Sequence, residues 1–141
     1  MRNFIFTLSL LSYVACTETS EPLQTSGVPI SVSSIQMDIV GNSLVRIIQH
    51  NMEHNPIVQL EIMSQPELKV LSILTIKEIP YQDEVLSFKN SAGIYVEEIK
   101  LEQDYINMVF DYFYLQGGSV LVSCNLPVEN STFAELQCFK K

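Results

Sequence analysis

The sequence predicts an α+β domain, an antiparallel sheet of about six strands with one or two helices packed on it. Three observations carry that expectation. Period-two alternation of apolar and polar residues runs through most of the chain from Val28 onward, as it does in half-buried strands. Gly41-Asn42 and Gly117-Gly118 stand between such runs, where tight hairpin turns need residues that accept positive φ. Near the C-terminus, Thr132-Phe133-Ala134-Glu135 has the form of a capping box, the start signal of a helix.

Taken in order, Ile35, Met37 and Ile39 alternate with Gln36 and Asp38, and Ser43 to Ile48 completes a first hairpin after Gly41-Asn42. Val58, Leu60 and Ile62 alternate with Gln59 and Glu61 before Gln65-Pro66-Glu67 turns the chain. Leu68 to Ile79 reads as one long strand closed by Pro80. Both of its faces are apolar, Val70, Leu74 and Ile76 on one and Leu71, Ile73 and Ile79 on the other. A strand of that kind belongs in the middle of a sheet, covered on both sides. Tyr81 to Asn90, with Val85, Leu86 and Phe88, reads as a short helix ended by Ser91-Ala92-Gly93. Ile94 to Leu101 and Tyr105 to Leu115 are further strands, and Gly117-Gly118 leads into another from Ser119 to Cys124. The final helix carries Phe133, Leu136 and Phe139 as a partial apolar stripe. Lys140-Lys141 complement the negative end of its dipole. No internal repeat is visible.

At 141 residues the chain is one domain, and 47% hydrophobic residues suffice for a packed core. Eight Lys and Arg against 16 Asp and Glu give a net charge of -8. That balance argues against nucleic acid as a partner, because phosphate backbones are bound by clustered positive charge. No apolar run is long enough for a membrane-spanning helix. The chain has no G-x-S-x-G, phosphate-binding loop or G-x-G-x-x-G, so nothing supports a serine hydrolase, NTPase or dinucleotide enzyme. The expectation is a protein that is not an enzyme and carries no cofactor.

The N-terminus has a basic start at Arg2 and an apolar core from Phe4 to Ala15, the make-up of a secretory signal too short to span a bilayer. Its end, Tyr13-Val14-Ala15-Cys16, resembles the lipobox of bacterial lipoproteins. The resemblance implies that Cys16 becomes the mature N-terminus and receives a diacylglyceryl anchor. It places the protein in the bacterial cell envelope, facing the periplasm or exterior, and Thr17 after the cysteine favours the outer membrane. The organisation expected is a signal peptide over residues 1–15, a lipidated Cys16 with a polar tether to Gly27, and a single domain over residues 28–141. Thr17 to Gly27 is too polar to order itself and suits a tether between membrane and fold. An acidic domain is repelled by anionic lipid, so its membrane attachment would rest on the acyl groups. The alternative is an ordinary signal peptide cut after Cys16 or nearby, leaving a soluble secreted binding protein. In a eukaryotic host such a protein could be glycosylated at the Asn130-Ser131-Thr132 sequon.

Cysteines number three, an awkward odd count for an exported protein unless one has another task. With Cys16 lipidated or removed, Cys124 and Cys138 form an even pair in a compartment that permits disulfides. A closed loop of about 15 residues stabilises by about 3 kcal/mol in the chain-entropy account, and the bond would pin the last helix to the sheet. Two reduced, buried cysteines acting as small apolar residues are the other reading.

From Ile106 to Lys141 the order is an aromatic strand, a Gly-Gly turn, an apolar strand, a loop with Pro127 and a capped helix. Val109-Phe110-Asp111-Tyr112-Phe113-Tyr114 through Thr132-Phe133 resembles the closing section of PsbP-like and DcrB-like domains. The resemblance implies an α/β sandwich that often occurs as a bacterial lipoprotein, and it carries over no catalytic residue.

Two clusters could carry chemistry. His50-Asn51-Met52-Glu53-His54 fits H-x-x-E-H, the zinc motif of inverzincin peptidases. That chemistry needs both imidazoles on one helical face, whereas Asn55-Pro56 ends any helix at once. A small zinc hydrolase using His50, Glu53 and His54 is the second alternative function, and a polar turn with solvated histidines the plainer one. Glu97, Glu98, Glu102 and Asp104 lack calcium-loop spacing and read as a solvated strand end. Tyr105, Tyr112, Phe113 and Tyr114 form an aromatic band suited to cross-strand packing. The function expected is a non-enzymatic accessory or binding module of the envelope, with an envelope protein as its partner. It would bind through a sheet face or edge.

Overall fold

The computed structural model describes residues 31–141. The signal-like segment, Cys16 and the tether lie outside the described residues.

Within them the chain builds β1 (Val32–Val40), β2 (Ser43–His50), β3 (Val58–Met63) and β4 (Val70–Ile76), an antiparallel meander in that order. A small hairpin follows, β5 (Glu78–Tyr81) and β6 (Glu84–Ser87), with a single 3-10 turn at Phe88–Asn90. The second sheet is β7 (Gly93–Leu101), β8 (Tyr105–Phe113) and β9 (Ser119–Glu129). Both β10 (Thr132–Phe133) and β11 (Gln137–Lys140) run along the remaining edge of β9.

The two sheets face each other across one core. Val45, Ile47, Val58, Leu60 and Ile62 from the first cluster with Ile106, Met108, Phe110, Val122 and Leu126 from the second. Strand alternation produces this directly, since every second side chain of each strand points inward. The β5–β6 hairpin adds Ile79, Tyr81 and Leu86, and Phe88 stacks tilted on Phe110 at 5.4 Å between ring centroids. At its margins the sandwich is closed by β1 lying beside β7 and β4 beside β10. The Gly41 N–H donates to the Gln103 carbonyl, and Gly41 takes φ +60 in the β1–β2 turn.

The α+β expectation is overturned: about two thirds of the described residues are strand and none is in an α-helix. The helix-on-sheet sandwich that the PsbP-like resemblance implied therefore does not form among them. Tyr81 to Asn90 is a hairpin and a 3-10 turn because its buried side chains, Tyr81, Leu86 and Phe88, follow a hairpin's alternation; Val85, needed for a helical stripe, is 62% exposed.

The C-terminal segment fails as a helix for a different reason. Asn130 and Ser131 both adopt left-handed φ, 50 and 58, which is what a two-residue hairpin requires. The chain thus doubles back on β9 before a helix can start. The Thr132 hydroxyl donates to the Glu129 carbonyl at 2.7 Å instead of capping Glu135. The eleven-residue β9 would otherwise leave a row of unpaired backbone groups along its edge. Covering it with β10 and β11 satisfies those groups, which a short helix laid on the sheet would not.

Leu68 to Ile79 also differs from its reading. Lys77 separates β4 from β5, and β4 pairs only with β3. The segment is apolar on both faces as its composition says, yet it sits at a sheet edge with one face uncovered.

Candidate functional site

The uncovered face belongs to the first sheet and is most open along its outer strands, β1 and β4. Register places its outward side chains in three rows across β1, β2, β3 and β4. One row is Ile35, Ile48, Gln59 and Thr75; the next is Met37, Arg46, Glu61 and Ile73; the third is Ile39, Leu44, Met63 and Val70. A bulge opposite Ile62 and Met63 adds Leu71 beside the third row. Ile39, Leu71 and Ile73 are more than half exposed, and Ile35 and Met37 nearly so. Of the twelve exposed large hydrophobic residues among those described, seven lie on β1, on β4 or at Leu68 just before β4.

A sheet with one solvated face ordinarily turns polar residues outward. The second sheet does so in part: Asn107, Ser123 and Asn125 form an outward hydrogen-bonded ladder. The Asn107 amide donates to Asn125 Oδ1 at 2.7 Å and to Ser123 Oγ at 3.1 Å. Tyr95, Tyr105 and Phe139 are exposed on that outer face as well, so the first sheet differs in carrying more of the exposed aliphatic side chains.

One ion pair stands in the middle of the face. Glu61 is 4% exposed. Its Oε2 accepts from Arg46, with Nε at 2.6 Å and a second guanidinium nitrogen on the same oxygen. Its Oε1 accepts from the Gln59 amide at 2.7 Å. Both carboxylate oxygens are therefore satisfied, and no buried side-chain N or O lacks a partner among the described residues. In these rows Arg46 and Glu61 are the only Lys, Arg, Asp or Glu side chains, and they neutralise each other. The face is a largely aliphatic, net-neutral surface on an acidic molecule. What it can do is exclude water against another apolar surface.

The residues singled out in the sequence fall elsewhere. Cys16 lies outside the described residues. Cys124 and Cys138 are joined by a disulfide, with Cα atoms 4.0 Å apart. It links β9 to β11 on the core side, so it pins strand to strand and not helix to sheet. His50 ends β2, its Nδ1 3.2 Å from the Ser31 hydroxyl and 3.3 Å from the Asn55 amide. Glu53 and His54 sit on the following turn, lining an open polar cleft of about 490 Å³ with Lys89 and Tyr95. The structure does not bring His50, Glu53 and His54 together as ligands, and no group of three such side chains is placed to hold a metal among the described residues.

Of the acidic run, Glu98 pairs with Lys100 at 2.8 Å and lies 3.9 Å from Lys141. The hydrogen bond from Lys100 holds its carboxyl below the usual range. The aromatic band is divided between faces. Tyr112 points into the core, its hydroxyl donating to the Ser87 carbonyl at 3.2 Å, while Phe113 packs edge-on to Tyr95 outside. Burial pushes the Tyr112 phenol up, and Tyr114 is raised by burial first and then by its hydrogen bond to Glu84.

Sequence reasoning read the apolar alternation of β1 and took Leu68 to Ile79 for a strand covered on both sides. The signal that could have located the open face is Arg46 opposite Glu61, a charge pair on the same side as Met37 and Ile73. No protein-family model, curated protein or solved structure matches the chain.

Proposed function

We propose that this protein is a non-enzymatic binding module of the cell envelope, lipid-anchored at Cys16, that docks an apolar protein surface on the outer face of β1 to β4. The observation that carries the docking role is that face: seven of the twelve exposed large hydrophobic residues among those described lie on β1, on β4 or at Leu68, and its one charge pair is internally neutralised. Exposed apolar surface of this extent on a soluble domain is characteristic of interaction sites. The anchor is supported by Tyr13-Val14-Ala15-Cys16 behind an apolar signal core, and a tethered module needs a partner surface more than it needs an active site.

Photocrosslinking in the host tests the docking role. A photoreactive residue in place of Ile73 should yield protein adducts, and one in place of Ser119, exposed on the second sheet, should not. Equal labelling from both positions, or none from Ile73, would remove the face as a docking site. The intact non-reduced mass of the mature protein tests the anchor: a chain beginning at Cys16 with acyl groups supports it, and an unmodified chain beginning at Thr17 or later leaves a soluble secreted binder.

A further inference from the structure

The occupant of this face can be named from its own symmetry. We propose that it is a second copy of the same chain, stacked face to face about a two-fold axis that runs parallel to the strands between β2 and β3. The inference rests on the docking role proposed above and specifies the partner.

Such an axis exchanges β1 with β4 and β2 with β3 while keeping each row in register with itself. The central row, Met37, Arg46, Glu61 and Ile73, then meets its own reverse. Arg46 lies over Glu61 of the second copy, and Met37 lies over its Ile73. An axis across the strands would instead set Arg46 over Arg46 and Glu61 over Glu61. Charge therefore selects the first orientation, and the contact is isologous as closed dimers require.

Size and charge agree with a second copy. Six apolar side chains about half exposed, Ile35, Met37, Ile39, Val70, Leu71 and Ile73, offer on the order of 600 Å² of apolar surface, the upper end of what single chains expose. Adding the rest of the rows approaches the roughly 800 Å² per partner of a standard interface. With a net charge of -8, two copies repel over most approaches. These rows contain no unpaired charge, so here the chains can meet without bringing like charges together. A flat aliphatic sheet face is covered most completely by another such face at about 10 Å.

Cysteine crosslinking on the full chain in intact host cells tests the geometry. Met37 and Ile73 are exposed, so M37C and I73C are compatible with folding; because facing backbones about 10 Å apart are too far for a direct disulfide, a short bifunctional thiol reagent joins the pair and denaturing gels read the outcome. The doubly substituted M37C/I73C chain, and co-expressed M37C and I73C chains, should run mainly as covalent dimers. Each single variant alone should not, because across the axis Met37 lies about three interstrand spacings, roughly 14 Å, sideways from its counterpart in addition to the roughly 10 Å between the sheets, beyond a reagent matched to a directly facing pair. Dimers from M37C alone would overturn the proposed axis. No dimer from M37C/I73C, with Ile73 photoadducts to a different protein, would overturn the second copy but leave the docking face standing. No dimer and no photoadduct would overturn both.

Discussion

Arg46 and Glu61 sit directly opposite each other on β2 and β3, and the Glu61 carboxylate is nearly sealed from solvent while Arg46 remains about a third exposed. The pair is an electrostatic island in an aliphatic surface. Its value lies less in net attraction than in neutrality, because burying two charges offsets most of what their attraction contributes.

Removing one partner should therefore cost more than removing both. R46M leaves Glu61 buried without its cation and is expected to destabilise by about 2 kcal/mol, below the full penalty of a wholly buried pair because Arg46 is partly solvated. R46M/E61L, which replaces the pair by apolar side chains, should be near neutral. Urea midpoints of the two single variants and the double variant close the cycle. Additive losses would mean that the two side chains do not interact energetically.

The disulfide should secure the C-terminal strand. Cys124 is fully buried and Cys138 packs against the core, so reduction releases β11 from β9 and unpins a closed loop of about 15 residues, worth about 3 kcal/mol. The urea midpoint should fall on adding reductant. Amide exchange should quicken first at Gln137–Lys140, which pairs only with β9. Uniform quickening across both sheets would show instead that β11 is not a separately opening unit.

What could be read beforehand divides along the range of each interaction. Strands and the two glycine turns are local: Gly41 and Gly117-Gly118 carry positive φ where their sequence says so, and the alternation of Tyr105 to Phe113 became β8. Cover is not local. Nothing in Leu68 to Ile79 tells whether a neighbour lies on each side, so an edge strand with an open face read as a central one. The C-terminal error has the same origin. Thr132-Phe133-Ala134-Glu135 is a sound helix start in isolation, but the free edge of β9 offered its backbone a better set of partners. The docking face was legible as residues and illegible as a face. The disulfide pairing was reached by counting cysteines, although the elements it joins were not.

Tyr112 and Tyr114 should make the protein sensitive to alkali. Burial is the largest cause of the upward shift in both, with Glu84 adding to it. The fold favours the neutral phenol, so the unfolded chain loses these protons first as pH rises. Stability should be flat on this account below about pH 10, the ordinary phenol value, and fall as pH climbs above it toward the raised values. Absorbance at the tyrosinate band should show a fraction of the six tyrosines ionising late and together with unfolding. E84Q should lower the Tyr114 titration only partly, because burial remains; a full return to the ordinary value would make Glu84 the dominant cause.

The Asn130-Ser131 turn should limit stability. Both residues hold left-handed φ, 50 and 58, a conformation that costs a residue with a Cβ about 1 kcal/mol relative to glycine. Glycine is the residue that such a turn prefers at its second central position, so S131G is expected to stabilise the fold by roughly 0.5–1 kcal/mol. Against that stands one weak contact, the Ser131 hydroxyl 3.3 Å from that of buried Ser43, and at that length it offsets little of the gain. S131P should do the opposite, since proline fixes φ near -65° and cannot enter the turn. Were this segment a helix with Thr132 as its cap, glycine at position 131 would change little, so a raised urea midpoint for S131G with a lowered one for S131P identifies the hairpin. Equal midpoints for wild type and S131G would show that the turn stores no such cost, and with it would go the account of why the chain turns back along β9.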